Sequence, residues 1–282
     1  MQDRNTRARS LAGTILAPLL GRRALQPAFR ALHQLALAAQ GLGSGADYRT
    51  SGERRVLQRV SGRLDRCSWP RPVTILDVGA SIGEYTLELA ARFPPSVARV
   101  FAVEPARETC EILERELASR HLSHVQARRL ALGREDIVAA PLHSDRHASA
   151  LASLHPRECH DPALTQTVAV QTLDSFCRAQ GIESIFFLKI DAEGSDLDVL
   201  KGAAGMLGAR AIRHIQFEFG DVCLDSRVFF RDFFDLLHRD FLVYRVMRGG
   251  LEPVTAYRPE LEVFLCTNYY CEARVDRSSG TP

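Results

Sequence analysis

No two of the seven cysteines, at 67, 110, 159, 177, 223, 266 and 271, are spaced as Cys-x-x-Cys, and their number is odd. In a chain of 282 residues this argues against a disulfide framework and against a structural zinc site. It points instead to free thiols in a reducing cytoplasm. An excess of one charge is also missing: 36 Lys and Arg stand against 34 Asp and Glu, a net charge of +2. A whole-protein electrostatic case for nucleic-acid binding therefore falls away. No apolar run reaches the length that crosses a membrane. The longest candidate, residues 11–20, is broken by Pro18 and followed by Arg22 and Arg23. Internal repeats and low-complexity tracts are absent. What is present is 46% hydrophobic and 25% charged, enough for one large domain or two small ones with a buried core.

The first 46 residues differ from the rest. Asp3 is their only acid, against six arginines. Leu11, Ile15 and Leu19, then Phe29, Leu32, Leu35 and Ala39, recur at helical spacing. Two short amphipathic helices separated near Pro27 follow from this, with a helical extension running to residue 70. They read as a lid or dimer element rather than a membrane-surface anchor or targeting segment. Homo-oligomerisation through these helices stays open, as does peripheral membrane association. No transmembrane segment is expected, and the cytoplasm is the expected location.

From residue 73 strands and helices alternate. Strands are expected at 73–78, 97–103, 125–132, 185–190, 212–219, 241–247 and 262–267. Helices are expected at 84–93, 106–120, 197–207 and 227–238. Residues 136–172 read as a β-rich insertion around a polar loop at 143–162. Repeated βα units predict an α/β fold, a doubly wound, mostly parallel seven-stranded sheet over residues 71–270. Residues 271–282 read as a tail. The last two strands have no helix between them, so one should run antiparallel.

Four strand ends carry chemistry. Asp77-Val78-Gly79-Ala80-Ser81-Ile82-Gly83 closes the first strand with a turn in which glycines allow close backbone approach. The helix after it offers a positive dipole end and free N–H groups. The spacing is neither GxGxxG nor a P-loop. Glu104, before Pro105, ends the second strand, where an acid can accept from two ribose hydroxyls or merely cap a helix. Asp191 and Glu193 leave an apolar strand, where burying charge without purpose is costly. They can orient a cofactor, bind a metal or act as a base, or Asp191 can cap the next helix. Glu218 ends the next strand on the same sheet edge and can join them in an acidic pocket for a polyhydroxy molecule or a divalent cation.

The stretches DVGASIGEYT, EP, TLDSF and LKIDAEGSD with VLKGA resemble the FkbM family of methyltransferases, over roughly residues 50 to 265. The segment Ser51-Gly52-Glu53 with Val56-Leu57 resembles the family's entry into the domain. The resemblance implies a class I methyltransferase fold and S-adenosylmethionine as cofactor. By position it implies that Asp77, Gly79, Ala80 and Gly83 hold the methionine part and Glu104 the ribose, with Leu130 and Ala131 along the adenine. Asp191 would lie beside the transferred methyl. Ser81 stands where the family often has Asn. The implied reaction is O-methylation of a sugar, polyketide or other small hydroxylated molecule, with Asp191, Glu193 and Glu218 as candidate bases and no metal. His214, mid-strand, reads as a packed or surface histidine. The loop residues His143, His147, His155, Cys159 and His160 have metal-binding types without metal-site spacing. That loop should cover the substrate, with Arg146, Arg157 and His155 as contacts. Alternatives are a non-catalytic domain of the same fold and a nucleotide-dependent oxidoreductase. Nucleic-acid methylation lacks an NPPY-type signature.

Overall fold

The computed structural model describes residues 20–43, 45, 47–64 and 69–274. The chain divides into two compact units, Met1–Leu42 and Gly43–Pro282. In the first, helix α1 (Gln26–Ala39) carries Pro27 in its first turn, where a missing N–H costs nothing. None of its residues is buried, and Leu32 and Leu35 are exposed. The helix expected around Leu11 to Leu19 lies outside the described residues. Among the described residues no helix is long and apolar enough to cross a membrane.

The second unit begins with α2 (Glu53–Leu64), β1 (Val73–Val78), α3 (Glu84–Arg92), β2 (Ala98–Val103) and α4 (Arg107–Ser119). β3 (Val125–Arg128), β4 (Ala131–Gly133), β5 (Ile137–Ser144) and β6 (Asp161–Thr172) follow, then α5 (Leu173–Gln180) and β7 (Ile185–Ile190). Next come α6 (Asp196–Lys201), α7 (Ala204–Gly208), β8 (Ile212–Phe219), α8 (Val222–Asp225) and α9 (Phe230–Leu237). The chain closes with β9 (Phe241–Met247), β10 (Gly250–Pro253) and β11 (Thr267–Ala273).

Eight strands form the main sheet, in the order β10-β9-β11-β8-β7-β1-β2-β3. The run from β8 through β7, β1 and β2 to β3 is parallel. β11 is antiparallel to both its neighbours, as the missing crossover helix predicts. The eighth strand is β10, added to the edge by a two-residue turn between the paired Met247 and Gly250. A second sheet, β4-β6-β5, is the insertion.

Side chains alternate across β1. Leu76 and Val78 join a core with Phe176, Leu197, Leu200 and Phe233. Val73 and Ile75 join another with Val56 and Val60 of α2, Leu89 of α3 and Leu113 of α4. Each face of the sheet thus has its own apolar layer, and the polar strand ends are left at one edge. Helix α2 lies before the expected domain start at residue 71, and β11 continues past the expected end at 270.

Four expected elements have different bounds in the structure. The strand expected at 125–132 splits at Arg129-Leu130, because Ala131–Gly133 pairs with Val170–Thr172 of the second sheet. The helix expected at 197–207 breaks after Lys201, where Asp174 of α5 accepts from the N–H groups of Gly205 (2.6 Å) and Met206 (3.0 Å) and so caps α7. The helix expected from 227 starts at Phe230, where the Glu262 carboxylate accepts from the N–H groups of Phe230 (2.8 Å) and Arg231 (3.0 Å). The last strand begins at Thr267 rather than at 262.

β1 and β7 part with almost no space between them. The Asp191 N–H donates to the Val78 carbonyl at 2.9 Å. Gly79, with φ +79°, follows, and a Cβ there would lie 1.7 Å from the Asp191 carbonyl oxygen. Gly79→Ala should therefore cost roughly 3 kcal/mol or more, combining left-handed strain with forced separation of two central strands. A guanidinium denaturation midpoint checks this. A midpoint unchanged from the parent protein would show that the strand ends can move apart freely.

Candidate active site

Three cavities that share lining residues open at the carboxyl ends of β1, β2 and β7. Gly79, Ser81, Ala150 and Asp191 line all three. Asp191 is thus the junction, and Gly79 keeps the wall opposite it free of any side chain. The first cavity has apolar sides from Val103, Leu130, Leu132 and Leu142, with Glu104 and Glu193 among its polar residues. Asp77 and Ala80 line the second, and Glu193 and Glu218 line the third. Gly83 lines none of them. Its bare backbone packs on α4, where a Cβ would lie 2.6 Å from Leu113.

The glycine turn grips the protein more than it offers N–H groups to a ligand. The N–H groups of Gly79 and Ala80 donate to the Val103 carbonyl, and that of Gly83 to the Ala80 carbonyl. The Ser81 N–H donates to Glu104 Oε2 at 2.9 Å, and the Ala106 N–H to Glu104 Oε1 at 2.9 Å. Glu104 therefore ties the turn after β1 to the start of α4. Burial pushes its carboxyl up to about 7, against the pull of those two N–H groups. Asp77 accepts from Thr86 Oγ1 at 2.5 Å and is pushed by burial to about 6. Ser81 and Glu193, on opposite sides of the cleft, both hold left-handed backbone at φ 47°, a conformation that costs a non-glycine residue of order 1 kcal/mol.

Behind Asp191 lies a group whose role the sequence analysis did not identify. Lys189, buried in β7, places Nζ 3.0 Å from Asp191 Oδ2 and 3.7 Å from Glu53 Oε1. Glu53 is held in turn by Ser51 Oγ at 2.9 Å and by Gln216 Nε2 at 2.5 Å, and Gln216 also donates to Asn268 at 2.9 Å. Burial alone would lower the Lys189 pKa; attraction to Asp191 and Glu53 outweighs it and raises it. The sequence signal was available as one charge inside the apolar run Ile185–Ile190. Glu53 lay in the quoted entry segment but had no role assigned.

Three more acids crowd this edge. Burial with repulsion from Asp191 pushes Glu193 to about 9, Glu218 to about 8 and Asp196 to about 7. Asp196 accepts from the N–H groups of Ala192 and Glu218, at 3.1 and 3.3 Å. The next helix has Ser195 at its N-cap, so the helix-capping role weighed for Asp191 is not the arrangement found. Of the three expected loop contacts, only Arg157 reaches the cleft. Its guanidinium meets Glu193 at 3.4 Å, Asp225 at 3.1 Å and Asp221 at 3.7 Å. Ser153 Oγ donates to the Glu193 carbonyl at 2.7 Å, a second fastening of the insertion. Arg146 lines a separate hollow with Arg107 and His147, and His155 lines none of the three cavities. His143 stacks on His160 and His147 bonds Glu108. Among the described residues no group of His, Cys, Asp and Glu is arranged to hold a metal ion. His214 is packed, with Nδ1 2.8 Å from the Tyr270 hydroxyl and its pKa pushed by burial to about 3.

A family profile described as Methyltransferase FkbM domain matches residues 77–264. Methyltransferase 1 of Beauveria bassiana (strain ARSEF 2860) is 29% identical over 163 residues, covering 49% of this chain and 63% of that protein. Methyltransferase sdnD of Sordaria araneosa is 28% identical over 166 residues, with the same coverage of 49% and 63%. The chain thus spans under two thirds of these relatives' own length. Among solved structures, a methyltransferase FkbM from Methylobacillus flagellatus KT aligns over 88% of this chain and 59% of its own. It has 18% identity and a TM-score of 0.43.

The buried acids make stability depend on pH. Asp77, Asp196, Glu218 and Glu193 hold protons to about 6, 7, 8 and 9, whereas an unfolded chain releases them near 4. The native state binds more protons across that window, so stability falls as pH rises through it. Thermal midpoints should drop between pH 5 and 9, and Glu193→Gln should flatten the upper part of that fall. A midpoint that climbs over this range would show that these acids are ionised in the native state.

Proposed function

The chain belongs to the FkbM methyltransferase family, and from that premise we propose that it transfers a methyl group from S-adenosylmethionine to a hydroxyl of a small sugar-like or polyketide-like molecule. The observation that carries the reading is the position of Asp191, the one acid among the described residues that lines all three cavities.

The residues present fit this cofactor. Glu104 uses one acceptor position on each oxygen for backbone N–H groups, which leaves room for ribose hydroxyls. The buried Ser195 hydroxyl lines the same cavity and has no hydrogen-bond partner. Leu130 and Leu132 offer apolar sides for a purine, with Ala131 between them. Among the described residues no basic one lines that cavity, which suits a sulfonium and disfavours a pyrophosphate. In this reading Asp77, Gly79 and Ala80 face the methionine part, and Gly83 acts only by letting α3 approach α4.

S-adenosylmethionine, when bound, supplies a methyl made electrophilic by its sulfonium sulfur. The protein's part is alignment and removal of the acceptor's proton. Glu193 and Glu218 hold their own protons near neutral pH, so they donate hydrogen bonds to the acceptor rather than deprotonate it. Asp191 takes the hydroxyl proton, its other side held by Lys189.

Calorimetric titration with S-adenosylmethionine and S-adenosylhomocysteine, with NAD as control, tests the cofactor. Micromolar binding of the first two alone is expected. Glu104→Gln should weaken it about tenfold or more, the worth of a hydrogen bond to a charged group. Affinity should also rise as pH climbs toward about 7, since hydroxyl donors favour the ionised acid, and Glu104→Gln should abolish that rise. Equal binding by the variant would remove the ribose assignment. Asp191→Asn should lower kcat roughly 100-fold or more while cofactor affinity stays within a few-fold. Full turnover by this variant would end the base assignment.

A further inference from the structure

Helix α1 carries an apolar stripe beside a cationic end. At about 3.6 residues per turn, Ala28, Leu32, Leu35 and Ala39 fall on one side of the helix, with Phe29 beside them. Arg30 and Gln34 fall on the other side. Leu32 and Leu35 are 59% and 66% exposed, and no residue of the helix is buried. Leu37, on the polar side, is partly covered. Two exposed leucines one turn apart, flanked by alanines, form an apolar strip whose removal from water is favourable.

The charge around the stripe has one sign. Arg22 and Arg23 precede the helix, Arg30 lies on it, and all three are exposed. From residue 4 to residue 46 the sequence holds no carboxylate. Arg22 and Arg23 stand at the helix end where the backbone dipole is itself positive, with no acid in the first turn and no side-chain cap. Cations at that end destabilise a helix, and anionic groups placed against it relieve the cost. The partner that covers this helix therefore has to supply an apolar boundary and negative charge together. A second copy of the helix would cover the leucines but brings no carboxylate from the same segment to pair with the arginines. An anionic bilayer supplies both.

We propose that α1 docks in the plane of an anionic lipid bilayer, with Phe29, Leu32 and Leu35 at the acyl boundary and Arg22, Arg23 and Arg30 among the headgroups. With 14 residues the helix is about 21 Å long, short of the roughly 30 Å hydrocarbon core, so it lies on the membrane rather than across it. The proposal does not depend on the methyl-transfer reading. Each arginine near an anionic surface strengthens binding roughly fivefold, so the three account for roughly a 100-fold preference over a neutral bilayer. Salt should erase that preference, because the surface potential decays within a Debye length.

The full chain should be sedimented with vesicles of phosphatidylcholine, and with vesicles in which part of that lipid is replaced by phosphatidylglycerol. Both are tested at low and at high salt, beside a vesicle-free control. Pelleting with the anionic vesicles at low salt is expected, and its loss at high salt and with the neutral lipid. Arg22→Gln, Arg23→Gln and Arg30→Gln together should weaken binding about 100-fold. Leu32→Glu with Leu35→Glu should abolish it, and both variants should keep the parent's thermal midpoint. Equal pelleting with the two lipids would overturn the charge matching, and protein left in solution with both would overturn the docking. In that last case light scattering and the thermal midpoint identify what covers the stripe instead. A dimer that the leucine variant dissociates would assign it to a second copy, and a midpoint lowered by that variant would assign it to the chain's own fold.

Discussion

Strands β1 and β7 leave the sheet so closely that only a bare backbone fits between them. Everything else in the cleft follows from that contact at Gly79. It presents Asp191 to three cavities at once instead of burying it against a neighbouring side chain. It also sets the turn whose Ser81 N–H reaches Glu104. Apolar packing on both faces of the sheet holds the strands in register, but the spacing of the reactive edge is a matter of one absent methyl group.

Electrostatics then decides the character of the edge. Many carboxylates share a small, poorly hydrated space, and a single lysine stands behind the one at the junction. Lys189 gains from two acids what burial takes from it, and Asp191 gains a fixed orientation. The neighbouring Glu193 and Glu218, without a comparable cation wholly their own, answer the same crowding by keeping protons. Chemically similar groups a few residues apart thereby acquire different roles from their surroundings.

Much of this was legible in the chain. β1, β7 and β8 begin and end where the apolar runs do, because buried parallel strands are bounded by the residues that cannot be buried. The strand-end acids and the glycine turn converge because the topology brings those ends to one edge. What stayed hidden depended on partners distant in sequence. Thr267–Ala273 contains Asn268 and Glu272, which look like surface residues until Gln216 pairs with one and Arg59 and Arg63 of α2 pair with the other. The break between α6 and α7 depends on Asp174, and the late start of α9 depends on Glu262. Local patterning carries no trace of a cap donated from a separate element. The same limit applies to Glu53, whose meaning comes from Lys189, and to Arg157, whose three acidic partners lie on two other segments.

Glu104 has a structural duty that precedes any ligand. Its two oxygens rivet the turn after β1 to the start of α4, beside the apolar cluster that Ala80 shares with Leu113. The same carboxylate is therefore hinge pin and recognition group. A change that tuned its hold on a ligand would also alter the distance between the two walls that define the ligand's berth. Divergence at this position is constrained twice over. Variation in ligand preference is easier to accommodate on the far side of the cleft, where Glu193 meets Arg157 and Ser153 of the insertion loop.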